Sequence, residues 1–186
     1  MKQKRIYMIW IALSGCLAGF AQEARVEKSV WGVQGGLLSV WGYNESRLAD
    51  DVALRSEVGL LGSFSYTYSN FSGGSGRYTL IPELTVEPRW YYNLARRRAK
   101  SKFTMHNSGD YFSLRTSFYP EWPVISNPFA RPLNALDIVP VWGIRRHYGT
   151  HFSLETSAGI GYRHVFGENS KDAPVFNWRF CIGYTF

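Results

Sequence analysis

Cysteine is nearly missing from this chain: of two in 186 residues, Cys16 sits in the opening segment and Cys181 close to the end. Once the first 21 residues are cleaved, only Cys181 remains, which excludes an internal disulfide and a cysteine-built metal site. Past the opening, no stretch approaches about 18 uninterrupted apolar residues, so no helix is expected to cross a membrane. No segment of useful length carries the 3.6-residue period of an amphipathic helix. The glycines at Gly73, Gly74 and Gly76 lack the strand-to-helix setting of a phosphate loop or dinucleotide fingerprint. Histidine is scarce at four, with no His/Asp/Glu spacing that suits a metal, so neither a metal nor another cofactor is expected. Charge of one sign is also lacking. The net +7 falls to +4 when Lys2, Lys4 and Arg5 leave with the opening segment, and this balance gives no argument for nucleic acid.

What is present begins with a processing signal. Residues 1–5 are basic, residues 6–13 form a short apolar run, and Gly19 and Ala21 supply small residues before Gln22. This pattern predicts a secretory signal cleaved after Ala21, too short for a membrane helix. The predicted organisation is therefore a cleaved signal at 1–21 and one domain at 22–186. Leu13, Ser14, Gly15 and Cys16 also resemble the lipobox of bacterial lipoproteins, which would make Cys16 a lipid anchor. Against that alternative, residues 17–20 stay apolar where a mature lipoprotein turns polar.

The mature chain alternates. In its last twelve residues Phe176, Trp178, Phe180, Ile182, Tyr184 and Phe186 share one parity, against Val175, Asn177, Arg179, Cys181, Gly183 and Thr185. A strand puts successive side chains on opposite faces, so this is a ribbon with two incompatible surfaces. The same pattern recurs over residues 54–68, 78–92, 112–122, 136–148 and 152–166. It recurs less regularly over 30–43, where Trp31, Val33, Leu37, Trp41 and Tyr43 share a parity among glycines. Polar or flexible connections fall at 44–51, 69–77, 96–102, 123–134, 149–150 and 167–174. Pro82 and Pro88 fall inside one run, which normally demotes a strand to an edge or a bulge.

Two features predict that the greasy face meets lipid. Each run is long, roughly 12 to 17 residues against about 5 to 6 for a soluble strand, and about 9 to 11 suffice to span a bilayer at a tilt. Aromatic residues (Trp41 and Tyr43, Tyr66 and Tyr68, Trp90 and Tyr92, Trp122, Tyr148, Tyr184, Phe186) gather near run ends, as in the girdles of membrane barrels. The other face carries Arg55, Glu57, Glu83, Glu87, Arg89, Arg115, Arg145, Glu155, Arg163 and Arg179. Unpaired, such charges would cost several kcal/mol each in a dry core, whereas inside a narrow barrel they pair with one another. A soluble sheet would need a second layer, and no helices are available to form it. The predicted fold is all-β: a closed antiparallel transmembrane β-barrel of eight strands with a filled polar lumen. Seven runs are clear, so one strand is missing. Residues 25–43, split in two, or the 123–134 connection would supply it.

At this point the chain resembles small outer-membrane β-barrel proteins, in particular little-characterised barrels of Bacteroidota. The resemblance is carried by Phe20-Ala21-Gln22, by residues 84–93 (LTVEPRWYYN), by residues 159–163 (GIGYR) and by the closing Gly183-Tyr184-Thr185-Phe186. It implies residence in the outer membrane after export, contact with outer-membrane lipid, and recognition of Ile182, Tyr184 and Phe186 by the barrel-assembly machinery during insertion. The expected role is structural or interactive, with loops facing out and no catalysis. Two alternatives stand beside it. One is a lipid A-modifying hydrolase, because His151 and Ser153 resemble the His-x-Ser pair of outer-membrane lipid A deacylases and Glu155 shares the Ser153 face. The other is a narrow transport or ligand-binding barrel. His106, His147 and His164 read as hydrogen-bonded or solvated, and the basic run at 96–102 as a solvated turn able to touch anionic headgroups.

Overall fold

The computed structural model describes residues 25–69, 73–122, 125–126, 134–167 and 170–186. The predicted signal at 1–21, with Cys16, lies outside them, as does most of the 123–134 connection. Alternation becomes strand throughout: β1 (Ser29–Gly35), β2 (Ser39–Arg47), β3 (Val52–Ser69), β4 (Gly73–Trp90), β5 (Asp110–Tyr119), β6 (Ile125–Ser126), β7 (Ala135–Tyr148), β8 (Phe152–Val165) and β9 (Lys171–Thr185). Every neighbouring pair is antiparallel. β1 and β9 pair through Gly32↔Thr185 to Gly35↔Ile182, which closes the sheet into an eight-stranded barrel. The two-residue β6 is not a separate wall strand. It continues the lane of β5, pairing with Thr79 and Leu80 of β4 beyond the point where β5 ends.

The missing strand comes from residues 25–43, divided at the 36–38 turn into β1 and the start of β2. This division corrects two expectations. β2 runs on to Arg47, so the predicted 44–51 turn shrinks to residues 48–51. Trp41 and Tyr43, expected on the outer face with Trp31 and Val33, point inward and are buried. The reason is hairpin register: Trp31 lies opposite Asn44 and Val33 opposite Gly42, so residues sharing a face across this turn differ in parity. A short helix, α1 (Leu94–Ala99), and a 3₁₀ turn at Met105–Asn107 also form where no helix was expected. Under two turns long, α1 is too brief to show a period. Arg96, Arg97 and Arg98 fill its last turn, where the helix dipole favours cations.

Pro82, Pro88 and Pro140 sit in the barrel wall, and each coincides with a ladder interruption; Pro174 lies in the part of β9 that is paired on one side only, with β8. The β4–β5 register lapses at Glu87 and Pro88, Pro82 faces the break between β5 and β6, and the β7–β8 register lapses at Val139 and Pro140. A residue without an N–H is tolerated where its ladder bond is already absent.

The first described residues, the C-terminus, the 48–51 turn, the 91–109 connection and the 149–151 turn share one end, here the closed end. The other four connections share the opposite end. Polarity is inverted relative to a soluble protein: the bore is lined by buried arginines and carboxylates, while Val58, Ile160, Phe176, Trp178 and Phe180 stand exposed outside. Among the described residues no helix is long and apolar enough to cross a membrane, which says nothing about strands. Aromatic rings cluster on the outer wall near the closed end, where Trp90, Tyr92 and Phe112 pack together and Tyr184 meets Phe186.

Inside, three rings lie flat against wall glycines: Tyr43 opposite Gly32, Trp41 opposite Gly59 and Tyr111 opposite Gly143. A Cβ at Gly143 would collide with the Tyr111 ring. That ring cannot step aside, because its hydroxyl donates to Glu155 at 2.8 Å and Arg89 stacks on its face. Gly143→Val should therefore destabilise the barrel by about 1–3 kcal/mol, the usual penalty of overpacking. The check is the urea midpoint of the purified barrel in micelles, and an unchanged midpoint would contradict the packing described.

Candidate functional site: the ion-paired bore and its side cavity

The side chains expected in the bore all lie along its inner wall. Arg55, Glu57, Glu83, Glu87, Arg89, Arg115, Arg145 and Glu155 are buried; Arg163 and Arg179 stand higher, toward the open end. Strand pairing brings them together from distant parts of the chain. Glu155 on β8 is the hub: Oε1 accepts from Arg89 Nη2 at 2.7 Å and from the Tyr111 hydroxyl, and Oε2 accepts from Gln34 Nε2 at 3.2 Å and Arg55 Nη1 at 3.5 Å. Glu57 pairs with Arg55 and accepts Arg179 Nη1 at 2.8 Å. Glu87 Oε2 takes Arg89 and Arg115, each at 3.0 Å, while Oε1 takes the Ser113 hydroxyl at 2.6 Å.

Several partners were not anticipated. Glu45, placed by the sequence in a turn, lies on the inward face of β2 and accepts Arg145 Nη1 at 2.6 Å, with the Tyr91 hydroxyl and Asn107 Nδ2 both at 2.7 Å. Extending the β2 alternation by two residues would have found it. Asp137 grips Arg163 at two points, 2.6 and 2.7 Å. Its inward parity was visible, but its pairing was not. The bore aromatics stack under the cations: Arg55 lies 3.8 Å from the Tyr43 centroid, Arg89 4.2 Å from Tyr111 and Arg179 3.9 Å from Trp41. Such stacking recovers part of the attraction a guanidinium loses with its hydration.

The closed end is capped. Val26, Ala53, Tyr91, Leu94 and Tyr111 form an apolar cluster across it, and the 91–109 connection is tied down by Asn107 on Glu45 and by the Glu27 carboxylate on the His106 amide at 2.6 Å. At the other end the packing is incomplete. A cavity of about 710 Å³ lies between the 36–38 turn and β9, with Glu83, Tyr119, Asp137, Arg163 and Arg179 among its lining residues.

The proposed His-x-Ser chemistry is not assembled. His151 Nδ1 is bonded to the Thr185 carbonyl at 2.8 Å and its ring stacks on Tyr184, while Ser153 Oγ is buried with no hydrogen-bond partner. Glu155 is taken by arginines and does not orient an imidazole. His147 Nε2 meets the Thr185 hydroxyl at 2.9 Å, and His164 bonds Asp172 at 2.7 Å. Among the described residues no group of His, Cys, Asp and Glu is arranged to hold a metal ion. Ile182, Tyr184 and Phe186 project from the outer wall at the closed end, exposed.

These features define a class, a closed eight-stranded antiparallel barrel with an ion-paired bore and an apolar exterior. No protein-family model, curated protein or solved structure matches the chain.

Because Glu155 compensates Arg55, Arg89 and, at 3.9 Å, Arg145, its loss leaves several buried guanidiniums short of a counter-charge. Glu155→Ala should lower unfolding free energy by about 3–5 kcal/mol, the cost of breaking a buried pair from one side. Urea titration in micelles measures it, and a loss below about 1 kcal/mol, the range of an exposed pair, would remove Glu155 from its central role.

Proposed function

We propose that this chain is a small outer-membrane β-barrel whose bore is sealed. It spans the bilayer with its strands, presents the connections of its open end outward, and works by binding or anchoring, with neither general diffusion nor catalysis. The observation that carries this reading is the inversion of polarity: large apolar side chains cover the outer wall while the charges are packed within. In water each exposed side chain of the Leu or Phe class forgoes about 1.5–3 kcal/mol of burial, a loss that a hydrocarbon surround removes. A closed barrel also leaves lipid few unpaired backbone groups. Bore charges joined to each other across the interior, at distances such as 2.7 Å for Arg89 to Glu155, leave ions no open column of water.

The same reading gives the sequence features their places. The predicted signal accounts for export, the aromatic cluster near the closed end supports an interfacial girdle, and the exposed Ile182, Tyr184 and Phe186 suit recognition by the barrel-assembly machinery. With a periplasmic C-terminus, the closed end would face the periplasm. The deacylase alternative is set aside because His151 is bonded to the Thr185 carbonyl and the buried Ser153 hydroxyl meets no base.

Three measurements test the proposal. The protein should fractionate with outer membrane, should show heat-modifiable migration in detergent, and should give no discrete conductance steps in planar bilayers. A chain that stays monomeric and dissolved without detergent, or steady porin-like steps, would overturn it.

A further inference from the structure

The positive charge of this chain is concentrated in one place. Residues 22–186 carry a net +4, and the 91–109 connection alone carries +5, from Arg96, Arg97, Arg98, Lys100 and Lys102 with no aspartate or glutamate among them. Everything else in 22–186 therefore sums to −1. In the bore each arginine stands beside a carboxylate, whereas in this connection cations are gathered in excess.

The fold holds the excess in place. Leu94 sets the start of α1 in the apolar cluster of the closed end, and Asn93 Nδ2 donates to Asp110 at 2.6 Å. Beyond α1 the chain doubles back: Ser101 takes a left-handed φ of 53°, and the amides of Lys100 and Lys102 both donate to the Arg97 carbonyl, at 3.1 and 3.0 Å. Arg97 Nη2 then donates to the Phe103 carbonyl at 3.1 Å, and Asn107 on Glu45 fixes the far side. The result is a shelf that keeps Arg96, Lys100 and Lys102 exposed within one compact turn. The described carboxylates of this end have other partners. Asp110 is held by Arg146, Asp50 by Arg25, Asp51 takes the Trp90 indole at 2.7 Å, and Glu27 receives the His106 amide.

Apolar groups lie beside these cations. Phe103 and Met105, which follow the same turn, are 39% and 53% exposed, and the connection starts directly from Trp90 and Tyr92 of the aromatic cluster on the outer wall. Cations next to exposed apolar side chains, adjoining an aromatic band, match the layering of a bilayer surface, where rings sit at headgroup depth and basic side chains meet the phosphates above them.

We propose that the 91–109 connection is a headgroup shelf for anionic phospholipid of the leaflet at the closed end, with Arg96, Lys100 and Lys102 on the lipid phosphates and Phe103 and Met105 in the acyl boundary. This rests on the membrane-barrel reading and deepens it, by giving the barrel a preferred lipid and a fixed depth. A guanidinium takes phosphate at two points and lysines act as point charges, so the polar chemistry alone would suit a free anion as well. Phe103 and Met105 decide for lipid, because a free anion would leave them in water.

The probe is dioleoylphosphatidylglycerol, with dioleoylphosphatidylcholine as the zwitterionic reference. Each is added to the purified folded barrel in dodecyl maltoside micelles and counted by native mass spectrometry. Phosphatidylglycerol should bind at least tenfold more tightly, and the preference should shrink as salt is raised. A basic side chain at a membrane surface is worth about a fivefold gain, so Arg96→Gln combined with Lys100→Gln and Lys102→Gln should cut the preference at least tenfold. Phe103→Ser with Met105→Ser should weaken both lipids alike, and Lys171→Gln, at the open end, should change neither. Should the triple variant fail to fold, Lys100→Glu, beyond α1, should cut the preference at least fivefold. Equal affinity for the two lipids, or a preference untouched by the cation variants, would overturn the proposal. So would displacement of phosphatidylglycerol by inorganic phosphate at matched ionic strength, which would assign the shelf to a free anion. These outcomes leave the barrel's location standing, whereas failure to fractionate with outer membrane would sink the location and this inference together.

Discussion

The structure depends on electroneutrality inside a space too narrow for bulk water. Six arginines in the bore, Arg55, Arg89, Arg115, Arg145, Arg163 and Arg179, are met by six carboxylates, Glu45, Glu57, Glu83, Glu87, Glu155 and Asp137. Buried ion pairs seldom add net stability over an apolar core, because desolvation offsets their attraction. Here an apolar core is the wrong comparison. When the outer wall is apolar, a polar interior is what distinguishes the two faces of each strand and fixes which one turns inward. A slip of one residue in any strand would put guanidiniums outside and Phe or Trp within, so the network sets register as much as it contributes energy.

Packing follows from that choice. A guanidinium needs a flat partner and a carboxylate, and a ring needs room against a twisted wall. Glycines at 32, 59 and 143 provide that room, Tyr43, Trp41 and Tyr111 lie on them, and arginines cover the rings. The layering from wall to bore axis is backbone, ring, cation and anion. It fills most of the bore with rings and ion pairs, with Val30, Val139 and Val141 among the inward aliphatic side chains, and explains why so many glycines and aromatics coexist in one short domain.

Much of this was legible in the alternation. From β3 onward, one parity carries the charges and the other the grease, and the structure keeps that division. Legibility failed where one face lacked chemical contrast. In β1 and β2 both parities mix glycine, aromatics and polar groups, so Trp41 and Tyr43 read as companions of Trp31, and the hairpin that reverses the parity was invisible. Glu45 was lost with the end of β2. α1 was too short to have a period, and pairings such as Asp137 with Arg163 follow from three-dimensional register that parity does not encode.

The segment hardest to read is also the one that shapes the cavity. A hairpin of seven and nine residues beside strands of fifteen and eighteen cannot complete the wall, whatever its sequence. Its composition departs from the usual polar turn, with Leu37 and Leu38 exposed at its tip, and Trp41 below it both donates to Glu83 and supports Arg179. Around that cavity Glu83 and Asp137 have both oxygens engaged, while Arg179 keeps Nε and Nη2 without a hydrogen-bond partner, as Arg89 and Arg145 keep nitrogens without one deeper in the bore. A guanidinium offers five donors and a carboxylate about four acceptor sites, some of them taken by tyrosine and serine hydroxyls, so equal numbers of the two leave donors over throughout the bore even where charge is balanced.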